Sequence, residues 1–377
     1  MPGEEIGFGK GARQAYGLDD LTIVPSRRTR DARDVDLAWE IDAYRFELPM
    51  LTSAADGITS PSTAISVGRL GGAGVLNLEG LWTRYEDPTL LLEEIAELDS
   101  HDLTARMQEI YSEPVRAELI IERIREIKSA GVLAVAALTP QRVQEFSGAI
   151  LKAELDLLVI QSTVVSAEHV SKSSEPLNFK QFIREFDIPV IVGGCASYRS
   201  ALHLMRTGAV GILAGVGSGG TSTTGDVLGL GVPQATAIAD ARGARMRHLD
   251  ETGVYVHVIA NGGMNNSGNI AKAIVCGADA VMIGAPLAAA SEAPGKGAHW
   301  SMSNFHPTLP RGSCTKVETR GTIKEILVGP AHNSDGHSNL FGALRSSMAK
   351  AGYASLKDFQ RAELVIGSPA TTRATSV

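Results

Sequence analysis

The sequence predicts a single α/β domain of the (β/α)8 barrel type, with an extra helical insertion after the second strand and long loops on the active face. Three observations predict it. Eight short apolar runs recur along the 377 residues, most of them near-continuous, as parallel strands read when helices cover the sheet. Amphipathic segments separate the runs, so strand and helix alternate eight times. Glycines end the last two runs, where barrels of this type bind anions.

The strands are expected at 49–54 (PMLTSA), 74–78 (GVLNL), 132–138 (VLAVAAL) and 156–161 (DLLVIQ), followed by 188–193 (IPVIVG), 210–215 (VGILAG), 255–261 (YVHVIAN) and 279–284 (DAVMIG). Helices are expected at 61–70, 140–151, 178–186, 198–207, 233–249 and 267–276. Several begin at Ser or Pro and end near Gly. Three stretches fall outside this rhythm. Residues 79–131 carry helical patterns at 90–94 and 117–129, and read as an added helical layer. Residues 217–231 form a Gly/Ser/Thr-rich loop after the sixth strand. Residues 293–328, after the eighth, contain scattered Pro and Gly and read as a mobile loop region. Loops that follow barrel strands build the active face.

Composition bounds the function. Hydrophobic residues are 44% and charged residues 20%, enough apolar material for a large core. Net charge is −7, and the basic Arg27, Arg28 and Arg30 are followed at once by Asp31, Asp34 and Asp36. No nucleic-acid partner is expected. Residues 1–10 lack a signal-peptide pattern and no apolar run spans a bilayer, so no membrane partner and a cytoplasmic location are expected. Cys195, Cys276 and Cys314 lie far apart without metal-ligand spacing. They read as reduced, mostly buried thiols, with no metal site.

Three motifs carry the chemistry. Asn261-Gly262-Gly263 ends the seventh strand, and Ser267 opens a helix shortly after. The run 277–284 (GADAVMIG) ends the eighth strand at Gly284. Such glycines let backbone amides approach a phosphate beside a helix N-terminus, or else simply form tight turns. The loop 215–225 (GVGSGGTSTTG) packs four glycines into six positions. It offers amides and hydroxyls near the barrel axis, or serves as a flexible linker.

Taken with 15–20 (AYGLDD), 24–29 (VPSRRT), 71–77 (GGAGVLN) and 339–344 (NLFGAL), these motifs resemble the IMP dehydrogenase and GMP reductase superfamily, and within it the short bacterial "IMP dehydrogenase-related" branch. The resemblance covers nearly the whole chain, with 79–131 standing where full-length dehydrogenases insert CBS modules. It implies a purine or purine-like nucleoside 5′-monophosphate as substrate and NAD or NADP as cofactor. It leaves room for a monovalent cation such as K+, and implies a homotetramer or homo-octamer.

Carried over residue by residue, the resemblance puts phosphate contacts on Gly220, Gly263, Gly284 and Ala285, with Gly262 and Ser53 beside them. It puts the nicotinamide side on Gln161, Ser162 and Thr163, and the base-contacting backbone on Ser301 and Met302. The family's catalytic cysteine falls on Ser222. The arginine ending that loop falls on Gly225, the ribose-binding aspartate on Asn261, and the methionine of the first-strand S-A-x-M-D pattern on Ala55. A serine hydroxyl is a weak nucleophile without a base. Three functions follow as expectations. The first is an NAD(P)-dependent oxidoreductase that does not need the cysteine. The second is a catalytically silent nucleotide-binding relative, and the third is an FMN-binding barrel.

Other residues are expected at or near the site. Thr223 corresponds to a threonine that the family uses in proton transfer, and loop hydrogen bonding is the alternative for it and Thr224. Glu318 is either a catalytic acid or base or a solvated carboxylate. Asp56 either anchors loops or cofactor, or caps the turn before Pro61. His169 and Lys172 face the cofactor or are structural. His299, His306, His332 and His337 read as surface histidines.

Overall fold

The computed structural model describes residues 4–98, 100–172 and 176–367. Residues 1–3, 99, 173–175 and 368–377 lie outside that description, and residues 1–3 are part of the segment on which the signal-peptide expectation was made.

All eight expected strands form, and all run parallel in one sheet. They are β1 (Met50–Thr52), β2 (Val75–Asn77), β3 (Val135–Leu138), β4 (Leu157–Gln161), β5 (Val190–Cys195), β6 (Gly211–Ala214), β7 (His257–Asn261) and β8 (Ala280–Ile283). The hydrogen-bonded order is β1-β8-β7-β6-β5-β4-β3-β2. β1 and β2 close the ring through a bridge between Leu51 and Ala73, where the Thr52 amide donates to Ala73 O at 2.8 Å. The Thr52 hydroxyl completes that seam by accepting from the Val75 amide at 2.8 Å. Seven of the strands are buried along their whole length. Only β7 has half-buried ends, at His257 and Asn261.

The helices in chain order are α1 (Pro61–Arg69), α2 (Thr89–Glu97), α3 (Ser100–Ile110), α4 (Ala117–Ser129), α5 (Val143–Ala153), α6 (Phe179–Glu185) and α7 (Tyr198–Met205). There follow α8 (Thr224–Leu228), α9 (Gln234–Thr252), α10 (Ser267–Cys276), α11 (Ala285–Ala288), α12 (Ile323–Val328), α13 (Leu340–Lys350) and α14 (Leu356–Phe359). Side-chain caps start several of them. Ser60 pairs with Thr63 at α1, Ser197 with Ser200 at α7, and Asn266 accepts from the Asn269 amide at α10.

Within 79–131 the chain forms three helices. α4 packs between α1 and α5, so it is a member of the outer ring. α2 and α3 lie outside the ring. They build a second apolar cluster of Leu92, Leu103, Met107, Ile110 and Tyr111 over Leu81 and Trp300. The opposite end of the barrel is plugged by the hairpin Trp39–Ile41/Tyr44–Phe46. There Ile41 is fully buried beside Ile191 and Ile259, and the Trp39 indole donates to His257 Nδ1 at 3.1 Å. A plugged lower end leaves the C-terminal strand ends as the face open to ligand. Among the described residues no helix is long and apolar enough to cross a membrane.

Candidate functional site

One cleft lies over the C-terminal strand ends, in two connected halves of about 170 and 100 Å³. Ser53, Ala55, Gly219, Thr221, Asn261, Gly262, Met282 and Ser301 line both. The smaller half takes in Gly220, Gly263, Gly284 and Ala285, and the larger takes in Gln161, Ser162, Thr163, Ser222, Met302 and Ser303.

Backbone shape explains the glycines of the smaller half. Gly262 and Gly263 sit at φ 86° and 84°, in the left-handed region that L side chains avoid. A Cβ on Gly262 would stand 2.8 Å from the Gly219 amide, so the β7 end and the loop after β6 meet backbone to backbone. Gly284 has an ordinary φ of −124°, but a Cβ there would stand 3.3 Å from Ser53 Cβ and 3.4 Å from Ile58 Cδ1, so the Gly284 backbone packs closely on both. Among the residues lining this half there is no Lys, Arg, Asp or Glu. An anion held here is held by backbone amides and hydroxyls.

The loop carrying Ser222 is fixed from two sides. Ser222 pairs with Gly312 in an antiparallel bridge, and the Ser313 amide donates to Thr221 O at 2.8 Å. The Ser222 hydroxyl donates to Thr224 Oγ1 at 3.0 Å, and the Thr224 amide donates to Ser222 Oγ at 3.3 Å. No Asp, Glu, Lys or His lines the half of the cleft that holds Ser222, and its one charged residue is Arg311. Below the loop, the buried Gln234 amide donates to Ala214 O at 2.9 Å and Asn261 O at 3.3 Å. It ties the ends of β6 and β7 together. The Asn261 and Ser53 side chains make no hydrogen bond of their own to described residues, which leaves both free for a ligand.

Most of the expected residues converge on this cleft. Ser222 and Ser53 lie in it, as do Gly220, Asn261, Gly262, Gly263, Gly284, Ala285, Met302, Gln161, Ser162 and Thr163. Thr223 and Glu318 do not line it. Thr223 is half-buried at the start of α8, and Glu318 is exposed beyond the hairpin formed by Ala298–His299 and Thr315–Lys316. His306 and His332 are exposed, but His299 departs from the surface expectation. It is buried, lines the smaller half, and burial holds its imidazole below the usual range, hence neutral.

Asp56 neither caps the turn nor reaches the cleft. It is buried beneath α3, where its carboxylate accepts from Tyr111 Oη at 2.6 Å, and Tyr111 in turn accepts from the Trp300 indole at 2.8 Å. Burial raises its pKa to about 6. His169 is exposed on the loop after β4 and lines a side cavity of about 190 Å³, together with Pro140, Gln141, Val164, Leu177 and Phe179. Lys172 does not line it. Arg311, Gln234, and the Tyr111 and Trp300 partners of Asp56 were not singled out from sequence as parts of this neighbourhood. Arg311 sits in a Pro/Gly-rich stretch with no motif around it, and Gln234 had only its place beside a helix start.

An IMP dehydrogenase / GMP reductase domain model matches residues 15–377. The chain is 48% identical to an uncharacterized oxidoreductase of Mycolicibacterium smegmatis, over 97% of this chain and all of that protein. It is 24% identical to an inosine-5′-monophosphate dehydrogenase of Methanocaldococcus jannaschii, over 95% of this chain and 94% of the other. It also matches the crystal structure of an IMP dehydrogenase/GMP reductase-like protein from Corynebacterium glutamicum, with a TM-score of 0.92 and 46% identity over 96% of this chain and 97% of that one.

Proposed function

The chain belongs to the IMP dehydrogenase / GMP reductase family and is an oxidoreductase; from that premise we propose that its cleft takes a purine-type nucleoside 5′-monophosphate and exchanges a hydride at the base with NAD or NADP, without a covalent enzyme intermediate. One observation carries the reading. Ser222 stands in the cleft with its hydroxyl paired to Thr224 and no base beside it, next to an amide-lined half suited to phosphate.

The binding roles follow from chemistry. Amides of Gly220, Gly262, Gly263, Gly284 and Ala285 receive the phosphate. Ser53 and Asn261 take the sugar, Asn261 with both a donor and an acceptor. The backbone at Ser301 and Met302 meets the base. A nicotinamide, when bound, supplies the hydride donor or acceptor. Gln161, Ser162 and Thr163 line the same half as Ser222. The chain runs directly from them into the side cavity of Val164, His169 and Phe179, a slot of apolar walls with polar tips that suits the rest of a dinucleotide. Reduction of a ring C=N adds a hydride at carbon and a proton at nitrogen. With the Ser222 hydroxyl donating to Thr224 and no Asp, Glu, Lys or His lining this half, that proton comes from a water in the cleft, which leaves as hydroxide to solvent.

The test is a thermal-shift panel of purine monophosphates, with and without dinucleotides, read beside nicotinamide absorbance. A ligand that binds only the folded state raises the melting temperature by mass action. Stabilisation by at least one purine monophosphate and turnover of a nicotinamide are expected, with IMP and NAD giving less than about one XMP per second. Ser222→Cys is expected to restore little IMP turnover, because Gly225, Asn261 and Ala55 also depart from the family pattern. No stabilisation by any purine monophosphate would refute the reading. Binding without turnover would make the protein a nucleotide-binding relative.

A further inference from the structure

Arg311 is the one charged residue lining the half of the cleft that holds Ser222. Its side chain has no hydrogen bond and no ion pair with any described residue, and its Nε is buried without a partner. The backbone around it is nonetheless held firmly. The Arg311 amide donates to Ser303 O at 3.0 Å, and the neighbouring Gly312 bridges to Ser222. A half-buried guanidinium without a partner is costly, because each buried N–H left unpaired forfeits its bond to water. A cation kept in that condition inside a ligand cleft is completed by the ligand.

The ligand's phosphate is not the natural partner. Gly263, Gly284 and Ala285 line only the other half of the cleft, and Arg311 lines only this one. What lies within reach of Arg311, Ser222, Thr163 and Met302 is the base. We infer that Arg311 is a specificity-determining residue: its guanidinium reads a carbonyl or ionised oxygen on the edge of the base, and so selects oxo-substituted over amino-substituted rings. This rests on the nucleotide reading given above. The physical ground is geometric. The planar fork presents parallel N–H donors that match paired acceptors on a ring edge, whereas an amino group presents donors and leaves the cation unpaired.

Calorimetric titration of the full chain with IMP, XMP and AMP tests this, beside Arg311→Gln and Arg311→Lys. Melting curves without ligand establish that both variants fold. Wild type should bind IMP and XMP at least tenfold more tightly than AMP. Arg311→Gln should lose about tenfold or more for the oxo ligands and leave AMP unchanged, flattening the ranking, with Arg311→Lys in between. The inference is overturned if Arg311→Gln keeps the wild-type ranking, if it weakens all three ligands equally, or if only the dinucleotide affinity falls. Wild type binding none of the three would overturn the nucleotide reading itself, and this inference with it.

Discussion

Replacing Tyr111 by Phe removes one hydroxyl that holds two walls of the cleft together. The hydroxyl donates to Asp56 at 2.6 Å and accepts from the Trp300 indole at 2.8 Å. Asp56 directly follows the cleft residues Ser53 to Ala55, and Trp300 directly precedes Ser301. Without the hydroxyl, a buried indole N–H and a buried carboxyl each lose a partner, at about 1–3 kcal/mol apiece. We therefore expect Tyr111→Phe to lose about 3 kcal/mol near pH 8. The loss should depend on pH. Burial raises the Asp56 pKa from 3.8 to about 6, so its contribution to stability is full below the unfolded value and is lost as pH rises through about 6. That loss amounts to roughly 3 kcal/mol by pH 8. The Tyr111 bond favours the charged form. Removing it raises the folded pKa further, so the wild-type advantage widens between pH 6 and pH 8. Urea unfolding at pH 5.5 and pH 8.5, with the midpoints compared, measures the gap. A gap that is the same at both pH values, or below about 0.5 kcal/mol at both, would refute the reasoning.

Two further outcomes are expected. Gly284→Leu should weaken purine monophosphate binding at least tenfold, because a Cβ there would already stand 3.3 Å from Ser53 Cβ and 3.4 Å from Ile58 Cδ1 and the longer side chain fills the cleft; melting curves without ligand separate this from any loss of stability, calorimetry reads the affinity, and unchanged affinity would remove Gly284 from the phosphate site. Asp279→Ala should destabilise by about 3–5 kcal/mol, since it strips the buried Arg245 of its carboxylate at 2.6 Å and Tyr255 Oη of its acceptor at 2.7 Å; ligand affinity per folded molecule should stay unchanged, because Asp279 precedes β8 at the end of the barrel away from the cleft.

The barrel was legible because its signals are local. A strand buried on both faces reads as a continuous apolar run, and each of the eight runs overlaps the observed strand by most of its length. α3 was missed although Leu103, Met107 and Ile110 keep helical spacing, because its charged and polar residues mask a narrow apolar stripe. The glycines of the smaller half of the cleft stood out in the sequence for a related reason. Left-handed backbone at Gly262, with the Gly219 amide 2.8 Å from where a Cβ would stand, admits glycine alone, and Gly263 shares the left-handed φ that favours glycine, so the constraint appears in the residue type.

The alternation that closes the barrel, the glycine ends of β7 and β8, and the hydroxyl-rich loop around Ser222 are each a property of adjacent residues, and so are encoded locally. Which distant side chains share an environment is set by how the elements pack. That packing left Glu318 in solvent and buried His299. It set Arg311 in the cleft without a counter-ion, and placed Asp56 under Tyr111, 55 positions away. Charge state and hydrogen-bond partners depend on burial and on neighbours from other elements, which a residue's place in the chain does not encode.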